Sequence, residues 1–392
     1  MNHRLSPFLL RGGEELWRTK MSSQWLLGPS LIMAFVIGLC LVICYLMPRL
    51  TRPDVYFAVT VPPEFRDSAE GCSILKRYRV EVTILSVLAL LLVLAAVRIP
   101  EPHYVIGLTL AGLYLQIAGA FFAYYRARKQ VLPHATQPAT VREAALVPRE
   151  AHLPGGWLLQ LPPFAILAAA AIWLHLHWDQ IPEVFPIHWG PSGRPNGWAT
   201  RSLAGVYAPL LMGALLCALI GFLAYAMPRW SRLIRVGGAA GHAERRFRLV
   251  VVSILVAIEY FLALVFMWTS LLPLSHQQAG PPGFVPILLF ALAFTVIVVA
   301  LTIWVGQGGT RLGGTGTVAS GVLSPVGDRT PDKCWKLGLF YINRDDPALF
   351  VEKRFGIGYT LNFGHPGAWV FLAVLVAVFV AIILIVPSRH HP

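Results

Sequence analysis

Charge is what this sequence is short of. Of its 392 residues only 13% are Asp, Glu, Lys or Arg, while 56% are hydrophobic and the mean hydropathy is +0.63. Water-soluble domains carry roughly a quarter charged residues. Too few charges are present to clothe a water-facing surface, so much of this surface must face lipid. Acidic residues are scarcer than basic ones, 19 against 32, for a formal net charge of +13. That excess does not mark a nucleic-acid partner, because the basic residues sit in loops between apolar runs and not along one stripe. They suit a lipid bilayer with anionic headgroups instead.

Cysteine is sparse and scattered. Cys40, Cys44 and Cys217 lie in apolar runs and Cys72 and Cys334 in polar loops, with no Cys-x-x-Cys pair. This excludes a disulfide framework and a cysteine-rich zinc site. The His-Glu-x-x-His, Gly-x-Ser-x-Gly and Walker patterns are missing too. The stretch "GQGGTRLGGTGT" (306–317) is glycine-rich, but it follows an apolar run and lacks the strand–helix setting of a phosphate loop. It reads as a tether. The sequence therefore predicts no cofactor and no catalytic residues, and the chain is read as a non-enzyme.

What it does have is long apolar runs. A helix crosses a bilayer with about 20 such residues, and runs of that kind occupy 25–47, 80–97, 103–125, 157–177, 204–227, 249–272, 285–305 and 368–386. None alternates with period two, which excludes a β-barrel. The expected fold is an all-α polytopic membrane protein of about eight transmembrane helices with a small cytoplasmic α+β module. The loops after the odd-numbered runs hold 24 of the 32 Lys and Arg residues. The positive-inside rule puts those loops in the cytoplasm of a bacterial cell (inner) membrane and both termini outside. Arg4, Arg11, Arg18 and Lys20 run against that assignment, and a start at Met21 would remove the conflict. The first run is too long for a cleaved signal core and reads as a span that stays.

The organisation that follows is a tail over 1–24, then a three-helix segment over 25–125 with a cytoplasmic strand–helix loop at 54–79. A flexible Ala/Pro/Arg-rich linker covers 126–156, and a helix–loop–helix unit covers 157–227 with its external loop at 178–202. The sixth and seventh spans fill 228–305, a tether and α+β module 306–367, and the last span and tail 368–392.

Three polar segments look ordered. "VYFAVTV" (55–61) reads as a strand stopped by Pro62 and Pro63, followed by a helix from near Ser68 into the second span. In 332–369, "KLGLFYI" and "GYTLNF" read as strands, and Asp346-Pro347 reads as the cap and first residue of a helix over "ALFVEKR". Asn343, Asp345 and Asp346 could bind a cation, but capping and turn formation account for them more simply. The strands near 55–61, 337–342 and 358–363 are expected to form one small sheet, since isolated two-stranded hairpins are marginal in water. The third segment, 178–202, promises a short strand at "PIHW" and turns at Ser192-Gly193 and Asn196-Gly197, with Trp178, Trp189 and Trp198 at the bilayer interface.

In this third segment Ile181, Pro182, Pro186, His188, Trp189, Gly193, Gly197 and Trp198 resemble the loop that joins two spans in SdpI-like membrane proteins, a toxin-immunity and signalling family. Asn196 stands where that family usually shows Asp. The 332–369 segment resembles a second, uncharacterised module that accompanies such loops in larger bacterial membrane proteins. The residues that carry this are Trp335, Gly338, Tyr341, Asn343, Asp345, Asp346, Pro347, Arg354 and Asn362. The first resemblance implies SdpI-like ancestry, and neither implies a known reaction. With two ordered motifs on opposite faces and no catalytic set, the leading expectation is immunity or signal sensing against membrane-active agents. Its expected partners are a membrane-active peptide or toxin outside and a cytoplasmic regulator inside.

Two other groups compete for function. Glu259 lies near the middle of the sixth span, where a carboxylate is costly and marks a functional site by default, with Gln116 in the third span as a candidate partner. The alternative functional reading is a small-solute or proton-coupled transporter; the structural one is an interhelical hydrogen bond. His175, His177 and His188, with Asp179 and Glu183 nearby, are weak metal ligands, because an i, i+2 spacing points side chains to different helix faces. An interfacial His/Trp belt is the simpler reading, and a membrane-embedded metalloenzyme the third.

Overall fold

A computed structural model describes residues 30–99, 101–137, 155–189, 195–232, 238–274, 281–311 and 330–385. The tail with Met21, Gly193, and most of the expected linker and tether lie outside the described residues. Among the described residues eight helices are long and apolar enough to cross a membrane. They are α1 (Ser30–Leu50), α2 (Ala69–Ala96), α3 (Pro102–Val131), α4 (Leu161–Leu176), α5 (Leu203–Trp230), α6 (Gly238–Leu271), α7 (Pro281–Val305) and α8 (Pro366–Ile385).

Several helices outrun their apolar stretch. α6 has 34 residues and is about 50 Å long, well beyond the roughly 30 Å apolar core of a bilayer. α2 starts where the sequence predicts: the Ser68 hydroxyl accepts from the Gly71 N–H at 3.1 Å and caps the first turn. Ser202 caps α5 in the same way through Gly205.

The helices sort into two packed groups. α2 lies along α3, while α4, α5 and α6 pack together, with α8 against α5 and α7 against α6. None of the most apolar window of α7 is buried, and only 6% of that of α8. Each therefore packs along one side only, α7 through Phe290 and Phe294 on Phe261 of α6 and α8 through Ala368.

The polar segments depart from expectation. Residues 55–61 are not one strand but a tight hairpin, β1 (Val55–Tyr56) against β2 (Val59–Thr60). Phe57 and Ala58 turn it with φ of 44° and 60°. Left-handed backbone costs a non-glycine residue roughly 1–2 kcal/mol. Here the Phe57 ring offsets it, packed edge-on to Tyr78 and stacked with Phe355.

"ALFVEKR" is no helix either. Its centre is β7 (Phe350–Glu352), antiparallel to β8 (Tyr359–Leu361). Asp346 Oδ1 accepts from the Ala348 N–H at 3.1 Å, closing a local turn rather than capping a helix. Burial of Leu349, Phe350 and Val351 favours the extended form, because a strand buries neighbours on two faces.

The single sheet is likewise not formed. β5 (Trp335–Lys336) pairs only with β6 (Phe340–Tyr341), and one isolated bridge, Tyr341 to Asn362, joins this hairpin to the β7–β8 pair. On the other face of the molecule, β3 (Val184–Trp189) and β4 (Pro195–Thr200) form a hairpin whose register shifts around His188. β3 contains the expected "PIHW" strand.

Candidate functional site

α5 joins the two patterned segments. At its start the β3–β4 hairpin is seated on the α4–α5–α6 group: Ile181, Phe185 and Ala199 are buried against Leu174, Val206 and Leu210. Arg201 Nη1 donates to the carbonyls of Trp178, Asp179 and Ile181 at 3.2–3.4 Å, tying the loop before the hairpin to the residue that follows β4. Pro186 faces Trp198 across the ladder and His188 faces Gly197. A Cβ on residue 197 would stand 2.9 Å from the His188 Cβ, so the pairing needs glycine there. The His188 side chain is exposed. Trp189 pairs with Pro195 through the backbone, and Asn196 is described only as a residue of β4.

The histidines do not converge. His175 is exposed on α4, while His177 stacks on Trp173 with ring centroids 4.1 Å apart and donates from Nδ1 to the Trp173 carbonyl at 2.9 Å. Among the described residues no group of three or more His, Cys, Asp or Glu is placed to hold a metal ion.

Glu259 is wholly buried, and neither carboxylate oxygen has a hydrogen-bond partner among the described residues. It faces Gly221 of α5, and the Gln160 amide lies against the same glycine. Gln160 Nε2 donates to the Gly221 carbonyl at 3.3 Å, the Cys217 thiol to the Glu259 carbonyl at 3.4 Å, and the Tyr260 hydroxyl to the Leu159 carbonyl at 2.8 Å. Glu259 is thus level with the first residues of α4. Gln116 lies on α3, which packs on α2, and its amide oxygen has no partner among the described residues. Gln160 lies at the edge of an apolar run, and nothing local in the sequence marks it as the amide beside Glu259.

Past Trp230 the chain enters the module. The Leu349 N–H donates to the Trp230 carbonyl at 2.8 Å. Arg232 forms an ion pair with Asp346, Nε to Oδ2 at 2.9 Å, and donates to the Tyr341 hydroxyl at 2.8 Å. That hydroxyl donates in turn to Asp346 Oδ2 at 2.9 Å and accepts from Asn343 Nδ2 at 3.1 Å. Burial raises the Tyr341 phenol well above the ordinary tyrosine range, with the nearby Arg232 pulling the other way.

Asn362 has no exposed surface. Its Nδ2 donates to the carbonyls of Asn343, Asp346 and Ala348 at 2.8–3.2 Å, and its Oδ1 accepts from the N–H groups of Asn343 and Gly364 at 3.0 Å. One side chain thereby replaces the sheet that the short strands cannot build. Asp345 contributes a backbone N–H to the Asn343 Oδ1, at 3.0 Å, and Pro347 follows in the same turn.

A second buried knot ties the module to the 54–61 hairpin. The Arg354 guanidinium pairs with Asp332, donates to the Thr330 carbonyl and to Thr60 Oγ1, and lies 5.5 Å from the Trp335 ring centre. Asp332 also accepts from Thr60 Oγ1 at 2.6 Å. From α3, Arg128 donates to the Phe57 and Ala58 carbonyls and Tyr124 to the Leu337 carbonyl. Gly338, at φ 72°, sits where a Cβ would be 2.6 Å from Ala58. Arg52, at the end of α1, pairs with Glu352, and Gln307 beyond α7 exchanges two hydrogen bonds with Gly358. The module therefore bonds to the ends of α1, α3, α5 and α7.

Two family models match the chain, and they fall on these two segments. The domain of unknown function DUF1648 matches residues 165–213, which are most of α4, the hairpin and the first third of α5. The family of unknown function DUF5808 matches residues 344–369, the turn after Asn343 through β7 and β8 into α8. No curated protein and no solved structure matches the chain. The matches and the eight apolar helices fit a multi-pass membrane protein built around two domains of unknown function.

Proposed function

We propose that this chain is a non-enzymatic membrane sensor of the SdpI-like immunity and signalling kind. The external β3–β4 hairpin meets a membrane-active peptide or toxin, and the module on the other face passes that state to a cytoplasmic regulator. One observation carries the reading. A single helix, α5, has the exposed His188 hairpin packed on its first turn and the Arg232–Asp346–Tyr341 cluster bonded just past its last. Over 28 residues it links two ordered surfaces about 40 Å apart. Coupling of this kind needs a packed element that both sites bias, and α5 supplies one.

The test is a deletion strain challenged with membrane-active peptides and complemented in trans. Resistance should be restored by the intact chain and by Ile297→Ala on α7, and lost with His188→Ala. Unchanged susceptibility in the deletion strain, together with no cytoplasmic partner captured by crosslinking, would sink the proposal.

A second reading is kept because one observation favours it: Glu259 is a buried carboxylate whose oxygens have no partner among the described residues. Intramembrane acids of this sort line ion and proton pathways. Here Glu259 and Gln160 would hold a proton or small cationic solute in a transporter. Proton flux into proteoliposomes should then fall at least tenfold on Glu259→Gln. Flux of the same size in both proteins rules the role out.

A further inference from the structure

Between α5 and α8 lies a cleft of about 940 Å³. α5 contributes Leu215, Ala218 and Phe222 to its walls, and α8 contributes Val370, Val374 and Val378. Its end toward the module is polar, formed by Arg232, Asp346 and His365. Ligand sites for small molecules commonly occupy about 300–1,000 Å³, so the space suits an amphiphile rather than an ion.

The geometry points to a specific site for one phospholipid with an anionic headgroup, drawn from the leaflet on the module's side. Three features select this occupant. The first is depth. From Val370 to Val378, or from Phe222 to Leu215, the apolar walls run for about 10–12 Å along the helices. That is most of the roughly 15 Å apolar half-thickness of a bilayer, the span of one leaflet's acyl chains.

The second is level. Trp230 lines the cleft and is 40% exposed, and Trp369, 61% exposed, stands one residue before Val370 at the same end. Tryptophans at such positions mark the headgroup layer, so the polar end sits where a lipid carries its phosphate.

The third is charge. The Arg232 side chain keeps 29% of its surface exposed. His365 Nδ1 accepts from the Gly367 N–H at 3.0 Å, which puts the imidazole proton on Nε2 and leaves Nε2–H as a donor. Asp346 opposes an anion, but its carboxylate already accepts from Arg232, Tyr341 and Ala348. The groups that face the cleft at this end are His365 with its Nε2–H and the exposed part of the Arg232 side chain. Because Arg232 also bonds the module to the end of α5, a bound headgroup would touch the junction that the sensor reading depends on. The site itself stands apart from that reading, since it is read from lipid retention and not from resistance.

The experiment is native mass spectrometry of the purified full chain, released from detergent after delipidation and titration with phosphatidylglycerol or phosphatidylcholine. One phosphatidylglycerol should bind at least tenfold more tightly than phosphatidylcholine. Ala218→Trp and Val374→Trp each put an indole into the cleft from a different helix, so one remains informative if the other misfolds. Either should weaken that binding at least tenfold, while Ile297→Trp on lipid-facing α7 should not. His365→Asn keeps an acceptor for the Gly367 N–H and removes Nε2–H, so the headgroup preference should shrink while a lipid still binds. Undiminished binding in both tryptophan variants would overturn the site. Equal binding of the two lipids by the unaltered chain would overturn its anionic selectivity.

Discussion

At the scale of single residues, the module is held by side chains and not by a sheet. Asn362 is the centre of this, meeting three carbonyls and two N–H groups at once. Asn362→Leu keeps the size and takes this partner from all five backbone groups, of which the Asp346 and Ala348 carbonyls are bonded in a buried place. Each unsatisfied buried polar group costs about 1–3 kcal/mol. The expected loss is therefore more than about 3 kcal/mol, seen as a large drop in thermal midpoint of the purified protein in detergent; a shift within error would contradict the assignment. Sequence pattern singles out Asn362, Asp346, Tyr341 and Arg354 but shows none of their distant partners. Their partners, Arg232, Asp332, Thr60 and Thr330, come from segments more than a hundred residues apart in several cases. The same limit hid Gln160, which ends up beside Glu259 only because α4 begins level with it.

At the scale of elements, legibility followed the strength of the local signal. The eight apolar runs and the start of α2 at Ser68 were plain, because hydrophobic length and a capping hydroxyl act within a few residues. Ser68→Ala should cost about 1 kcal/mol and raise amide exchange in the first turn of α2 alone, as read by hydrogen–deuterium exchange. If exchange there is unchanged, the cap is idle. The misread elements share a physical cause. Phe57 and Ala58 make a turn with no Gly, Asn or Asp to announce it, and the offsetting aromatic contacts come from α2 and from Phe355. In "ALFVEKR", the Asp-Pro start suits a helix, but the burial of Leu349 and Phe350 against α5, α6 and α8 decides for a strand.

At the scale of the whole molecule, two helix groups that share little contact are fastened at one end by the module. Arg52, Tyr124, Arg232 and Gln307 reach it from four different helix ends. On the opposite face, among the described residues, the hairpin rests on the α4–α5–α6 group. Among the described residues, a disturbance of the hairpin has a packed route to the module through α5 and the helices beside it. The sequence showed two patterned surfaces and their expected sides; it could not show that a single helix carries both. That link is the central claim, and hydrogen–deuterium exchange on the full chain in lipid nanodiscs tests it most directly. Arg201→Ala releases the three carbonyls that tie the hairpin down. The account predicts faster exchange both in 178–202 and in the module around 341–350, some 40 Å away along α5. Faster exchange confined to the hairpin, with the module unchanged, would contradict it.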